Sequence, residues 1–303
     1  MAHWPSVTAV VPTHQRPQML RAAIRSILGQ DYPGRLDVLV VHDKEAIDDE
    51  LGAEFGDRVK AIANTRTPGL CGARNTGILA SAGELIAFCD DDDSWLPSKL
   101  TRQVERLRLA PESVLASTAM TVNFLGVASD RLAGRDTISH QDLLVSRMAM
   151  LHSSSFLVRR EWMVGGQLLN EDLPGSMGED WDILLRASRQ APVAHVDEPL
   201  VRIHWGSTSF FARDWRTRLT ANTWFLKSYP ELRESRRGTA RLQGQNAFFA
   251  AANGDRRAAL TWIARTVRSR AVEPRAWLAV PVLVAPRLGN SVMGALHRRG
   301  RGI

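Results

Sequence analysis

The feature that most limits how this chain can fold is an alternation of apolar runs and helical patterns over residues 7–109. "VTAVVPTH" (7–14) is an apolar run of strand length, ended by a proline turn. "RPQMLRAAIRSILGQ" follows, with Leu20, Ile24, Ile27 and Leu28 at helical spacing and Gly29 as a stop. "RLDVLVVHD" and "VKAIAN" are the next two strands. "CGARNTGILASA" is a helix closed by Gly83, and "ELIAFC" a fourth strand. "PSKLTRQVERLRL" is a helix with Pro97 in its first turn. Strands alternating with helices predict an α/β fold, Rossmann-like, with a mostly parallel central sheet flanked by helices.

Beyond residue 111 the pattern weakens. "SVLASTAMTVNFL" and "HSSSFLVRR" read as strands, "GEDWDILLRASRQ" as a helix, and "PVAHVDEPLVRIHW" as a strand entering a Gly/Ser turn. After 215 the pattern is helical. Residues 1–212 are therefore expected to form the α/β domain, and residues 213–303 a helical, Arg-rich subdomain.

Charge divides the chain in a similar way. Residues 231–303 hold 14 Arg and no Lys against four acids, a net of +10, while the rest is near −3. A basic region of this kind suits nucleic acid, anionic lipid or an acidic partner. No nucleic-acid motif appears, so nucleic acid is not expected as a partner. A peripheral membrane contact and a helical cap with its arginines outward both fit. The most apolar piece, "AWLAVPVLVAP" (276–286), is too short to cross a bilayer and holds two prolines. With two cysteines, Cys71 and Cys89, and no visible signal peptide, the expected location is the cytoplasm, with peripheral contact at the inner face of the membrane.

The chemistry-bearing stretch is "AFCDDDDSWLP" (87–97). Four carboxylates, Asp90 to Asp93, follow a strand, and side by side they disfavour one another's ionisation. A divalent cation would relieve that repulsion, and in parallel sheets ligands gather at the carboxyl ends of strands. The competing reading is a solvated acidic turn in which Asp93 or Ser94 caps the next helix. Similar alternatives attend the other candidates. Arg74 is a charge-assisted donor or a surface arginine, and Asn75 a ligand or a cap. Ser176 and Glu179 fit a capping box. Asp182 reads as solvent-facing, and Trp181, Trp205, Trp215 and Trp224 as core residues or stacking platforms.

The segments "VVPTHQRPQMLRAAIRSILGQDY", "LVVHD", "GLCGARNTGILASAGELIAFCDDDDSWLPSKL" and "GEDWDILLRA" occur in an order and spacing that resembles family 2 glycosyltransferases, over roughly residues 6–210. That resemblance implies the GT-A fold and inverting transfer from a nucleotide sugar held by Mn²⁺ or Mg²⁺. It implies that Pro12, Thr13 and Arg16 meet the nucleoside and that Asp43 reads the base. A UDP-sugar is favoured, although His42-Asp43-Lys44 departs from the paired acids common there. Arg74, Asn75, Asp90 and Asp91 would lie beside the donor. Asp90, Asp92 and His204 would meet the metal, and Ser207 and Ser209 the phosphates. Glu179 and Asp180 would face a hydroxyl acceptor, a glycan, lipid-linked glycan or natural product, with Asp180 as general base. A sugar nucleotidyltransferase and a non-catalytic docking protein are the other classes weighed. The first lacks its Gly-rich basic loop in "PTHQRPQ", and the intact acids argue against the second.

Overall fold

A computed structural model of the protein describes residues 3–124, 126–205 and 214–298. Its strands are β1 (Val7–Thr13), β2 (Leu36–His42), β3 (Val59–Ala63), β4 (Leu85–Phe88), β5 (Ser94–Trp95), β6 (Leu115–Phe124), β7 (Val127–Arg131), β8 (Thr137–Ile138), β9 (Leu157–Arg159) and β10 (Val193–Trp205). They form one sheet in the order β3-β2-β1-β4-β9-β6-β10-β5, with β7 on β6 and β8 on β10. β3, β2, β1 and β4 are parallel. Beyond them β9 enters antiparallel to both β4 and β6, whereas β6 and β10 run parallel. The fold is the mixed α/β, Rossmann-like GT-A fold with flanking helices and a C-terminal helical region.

Every residue of β1 is buried, as expected of a strand covered on both faces. Up to residue 190 the helices are α1 (Pro17–Leu28), α2 (Glu50–Phe55), α3 (Leu70–Ala80), α4 (Lys99–Leu109), α5 (His140–Val145), α6 (Arg160–Val164) and α7 (Glu179–Gln190), of which α5 falls, but for His140, in the second of the two units described below. α1 turns Leu20, Ala23, Ile24 and Ile27 inward, the stripe its spacing predicts. α3 enters against the loop before it. A Cβ on Gly72 would lie 1.8 Å from the Thr67 carbonyl oxygen, so only glycine permits that approach.

Several local expectations need correction. α4 starts at Lys99 rather than at Pro97. "HSSSFLVRR" is strand only from Leu157 to Arg159. Ser153–Ser155 instead form a single 3₁₀ turn, in which the hydroxyls of Ser153 and Ser154 bond to Arg74 and Asp93. The capping box is not formed: α7 begins at Glu179 itself, and Ser176 belongs to a separate 3₁₀ turn. Asp182 is 2% exposed and pairs with Arg186 at 2.9 Å, rather than facing solvent.

The residues divide into two compact units. The first holds the sheet and comprises Met1–His140, Met148–Glu171 and Glu179–Trp205. The second takes Gln141–Arg147, Asp172–Gly178 and the described residues beyond Trp205. Its helices are α8 (Trp215–Ser228), α9 (Arg236–Ala252), α10 (Arg256–Ser269), α11 (Pro274–Val284) and α12 (Leu288–Arg298). Asp214, Ser235 and Asp255 cap α8, α9 and α10 through the backbone N–H groups of Thr217, Gly238 and Ala258. The core of this unit gathers Phe248, Phe249, Ala259, Ala279 and Val282, with Trp215 stacked on Phe249. Among the described residues no helix is long and apolar enough to cross a membrane.

Candidate functional site

β1 has β2 on one side and β4 on the other, so the chain's connections diverge there. In open α/β sheets the crevice outside the carboxyl ends of such strands is where ligands bind. Thr13 closes β1 and the Asp run follows β4. The Thr13 hydroxyl donates to Asp91 Oδ2 at 2.8 Å across this crevice. Arg16 donates to Asp91 at 3.1 Å and to Asp92 at 2.7 Å, which ties the loop after β1 to the loop after β4. Pro12 is buried within β1.

The four acids differ in surroundings. Burial raises the carboxyls of Asp91, Asp92 and Asp93 above their ordinary range, and neighbouring aspartates add to it. Burial also pushes Asp90 upward, but the Arg74 guanidinium, together with His152 and Arg16, outweighs this and holds it low. Asp93 is the anchor: its Oδ2 accepts from the Ser154 hydroxyl at 2.6 Å and its Oδ1 from the His204 backbone N–H at 3.3 Å. Asp90 is fixed from the same turn, its backbone N–H donating to Ser154 Oγ at 3.0 Å.

Arg74 is 1% exposed, not a surface arginine. Its guanidinium donates to Asp90, to Ser153 Oγ at 2.9 Å and to Glu179 Oε1 at 2.8 Å, and lies 5.4 Å from the centre of the Phe88 ring. A planar cation with several donors suits this threefold role, and a lysine would not reproduce it. Glu179 opens α7, and Asp180, also buried, follows it. Burial first, and the adjacent Asp180 second, raise the Glu179 carboxyl from 4.5 to about 7 despite Arg74.

Asn75 lies inside α3 and caps nothing. Its amide exchanges hydrogen bonds with Leu169 N–H and C=O, both at 2.9 Å, and donates to Glu171 at 2.7 Å. Asp43 accepts from Asn64 Nδ2 at 2.8 Å and from the Gly69 N–H at 3.0 Å, so its carboxylate holds the loop that leads into α3. Trp181 and Trp215 are buried core residues. His204 is exposed, and Ser207 and Ser209 lie outside the described residues.

Sequence patterns gave little reason to single out Asp93, His152, Ser153 and Ser154. The last three lie about 60 residues beyond the Asp run, and no spacing rule joins them to it. Ligand atoms of Asp90, Asp93 and His152 lie within 4.8 Å of one another, so this acidic cluster could hold a divalent cation. The two carboxylates suit Mn²⁺ or Mg²⁺, and the imidazole favours a transition metal such as Mn²⁺ over Mg²⁺. Crowded acids raised by burial and mutual repulsion are also what a cation would relieve. Exposure grades across the cluster: the Asp93 side chain is 2% exposed, Asp90 23% and Asp92 30%.

The family model for glycosyl transferase family 2 matches residues 8–163, the stretch that carries β1, the Asp run, Arg74 and the serine turn. The chain belongs to glycosyl transferase family 2. Among curated members of that kind, it is 33% identical over 103 residues to the Escherichia coli UDP-Glc:alpha-D-GlcNAc-diphosphoundecaprenol beta-1,3-glucosyltransferase WfgD. That match takes in 33% of this chain and 40% of WfgD. It is 26% identical over 187 residues to the Campylobacter jejuni GalNAc(5)-diNAcBac-PP-undecaprenol beta-1,3-glucosyltransferase, covering 58% of this chain and 59% of that protein. Of solved structures, S. aureus TarS 1-349 in complex with UDP-GlcNAc aligns with a TM-score of 0.65 at 16% identity, over 98% of this chain and 92% of that one. The Pyrobaculum calidifontis mannosyltransferase PcManGT, in complex with GDP-Man and Mn2+, aligns at 0.56 and 19% identity, over 95% and 87%. At these identities the structural likeness speaks for the fold.

Proposed function

We propose that this family 2 member is an inverting glycosyltransferase that moves a sugar from a nucleoside-diphosphate donor, a UDP-sugar in the favoured case, to a hydroxyl acceptor. The observation that carries this is Arg74, whose one guanidinium joins Asp90 of the acidic loop to Glu179 beside Asp180. Donor-side and acceptor-side acids thereby share a fixed frame, and fixed geometry is what single displacement needs. The relatives named for UDP-glucose and for undecaprenol diphosphate acceptors support a lipid-linked glycan as the acceptor class.

In this reading residues 1–212 are the catalytic domain and 213–303 an accessory subdomain. Thr13 and Arg16, with Pro12 below them, frame the nucleoside, and Asp43 shapes the base pocket through the loop it holds. Asn75 fixes the segment at 169–171 and Arg74 orients Asp90. Asp90 and Asp92 would hold Mg²⁺ or Mn²⁺, with Asp91 between them and His204 close by. When bound, the metal supplies Lewis-acid neutralisation of the departing diphosphate. Ser207 and Ser209 would donate hydrogen bonds to the phosphate oxygens. Asp180 takes the acceptor hydroxyl's proton as oxygen attacks the anomeric carbon, and Glu179 stays bonded to Arg74. The buried thiols Cys71 and Cys89 fit a cytoplasmic setting, and the basic C-terminal residues a peripheral membrane contact.

A screen of nucleotide sugars for slow hydrolysis with Mn²⁺ tests this. Release of a nucleoside diphosphate from at least one donor, abolished by chelator, is the expected result. Release of pyrophosphate from a nucleoside triphosphate would point instead to a nucleotidyltransferase.

A further inference from the structure

Within the helical unit, Leu278, Val282 and Leu283 of α11 pack inward with Trp262 and Ile263 of α10, so these apolar residues are not on offer to a partner. The outward face of α11 is a different case. Trp277, Val280 and Val284, at i, i+3 and i+7, share one helix face and are 57%, 42% and 75% exposed. Pro281 is exposed with them, and Val272, just before the helix, is 71% exposed. This face carries no charged or polar side chain. α10, by contrast, places the exposed Arg257 one turn from its exposed Leu260, and Arg268 outward further along. A helix that is apolar on both faces matches an apolar medium on both sides.

We infer that α11 docks on an anionic lipid surface, with Trp277, Val280 and Val284 entering the interface and the surrounding arginines meeting the headgroups. Charge selects this occupant. Residues 231–303 carry 14 Arg against four acids, and exposed Arg270 and Arg287 bracket the apolar stretch in sequence. A second copy would bring the same positive surface and be repelled, whereas anionic headgroups are attracted. Trp277 is also prepared for such a place. Its indole N–H already donates to the Ala271 carbonyl at 2.9 Å, so the ring can enter apolar surroundings without stranding a donor. This deepens the peripheral contact proposed above and rests on it. The test reads vesicle binding, so its failure leaves the sugar-transfer reading intact.

Sedimentation of the full chain with phosphatidylcholine vesicles, with and without phosphatidylglycerol, decides the matter. The chain should pellet with the anionic vesicles at low salt and stay soluble with neutral ones. Val280→Asp/Val284→Asp should weaken the partitioning roughly tenfold or more, since both apolar groups must leave the interface. Its unfolding midpoint should be unchanged, because both positions are exposed. Should that variant fail to fold, Trp277→Ser reads the same face, and Trp277→Phe should restore binding. Absence of binding to anionic vesicles overturns the inference. So does equal binding by wild type and variants, which would reduce the effect to charge. A vesicle-free dimer that the double variant abolishes would assign the face to a second copy and overturn it too.

Discussion

Arg74 donates to Glu179 Oε1 at 2.8 Å, which ties the middle of α3 to the first residue of the helix that carries Asp180, 105 positions further along the chain. Both side chains are buried. Removing the cation leaves the Asp90 carboxylate without its counter-charge, and the Glu179 carboxyl without its donor, in a poorly solvated place. Arg74→Met should therefore destabilise the fold by about 3–5 kcal/mol, as breaking a buried ion pair from one side does. Urea unfolding at neutral pH measures this, and a loss below about 1 kcal/mol would mean that water already reaches the pair.

Glu179 also sets a pH dependence. Its carboxyl takes up a proton near 7 in the folded chain, against 4.5 as its ordinary value, because burial and Asp180 disfavour its charge. Between these values the folded state holds the extra proton. The stabilisation is full below 4.5 and is lost as pH rises through about 7. Glu179→Gln should lose less stability than wild type across that window in parallel urea titrations. Identical slopes would show that Glu179 does not titrate there.

Lys99 gives the opposite sign elsewhere in the sheet domain. It is fully buried, bonded to Gln103 at 2.8 Å and set 4.0 Å from the centre of the Trp95 ring. Burial pulls its ammonium from 10.5 down to about 7. The unfolded chain then binds the proton more tightly between pH 7 and 10.5, so stability from this residue rises with pH over that range. Lys99→Met should flatten that rise in chemical unfolding experiments, and an unaltered profile would contradict the assignment.

The metal reading predicts that nucleoside-diphosphate binding followed by calorimetry depends on Mn²⁺, and that Asp92→Ala weakens it at least about tenfold by removing a hard oxygen ligand. Asp93→Asn acts differently, since Asp93 accepts from Ser154 and His204. It should lower the thermal midpoint more than Asp92→Ala does. Full activity in excess chelator would refute the metal assignment.

Much of this was legible because of what the residues must do in water. β1 and β4 are covered on both faces and read as unbroken apolar runs, and α1 buries one stripe at helical spacing. The Asp run stood out because like charges are costly side by side. β9, by contrast, is three residues long and owes its place to pairing with β4 and β6, which no local pattern records. Arg74 in a helix looks like a solvated side chain until α7 brings Glu179 to it. Ser153 and Ser154 sit in an apolar-flanked run that favours a strand, yet His152 caps a 3₁₀ turn there and the hydroxyls of the two serines bond to Arg74 and Asp93, partners distant in sequence.

In the proposed reaction Asp180 removes the acceptor proton while Asp90, Asp92 and Arg74 handle the donor. Asp180→Asn tests it most directly, with nucleoside-diphosphate release and Mn²⁺-dependent nucleoside-diphosphate affinity measured on the same preparation. Release should fall by ~10² to 10⁴, the usual worth of a general base, while affinity stays within a factor of about two. Lost affinity with undiminished turnover of bound donor would contradict it and make Asp180 a binding residue.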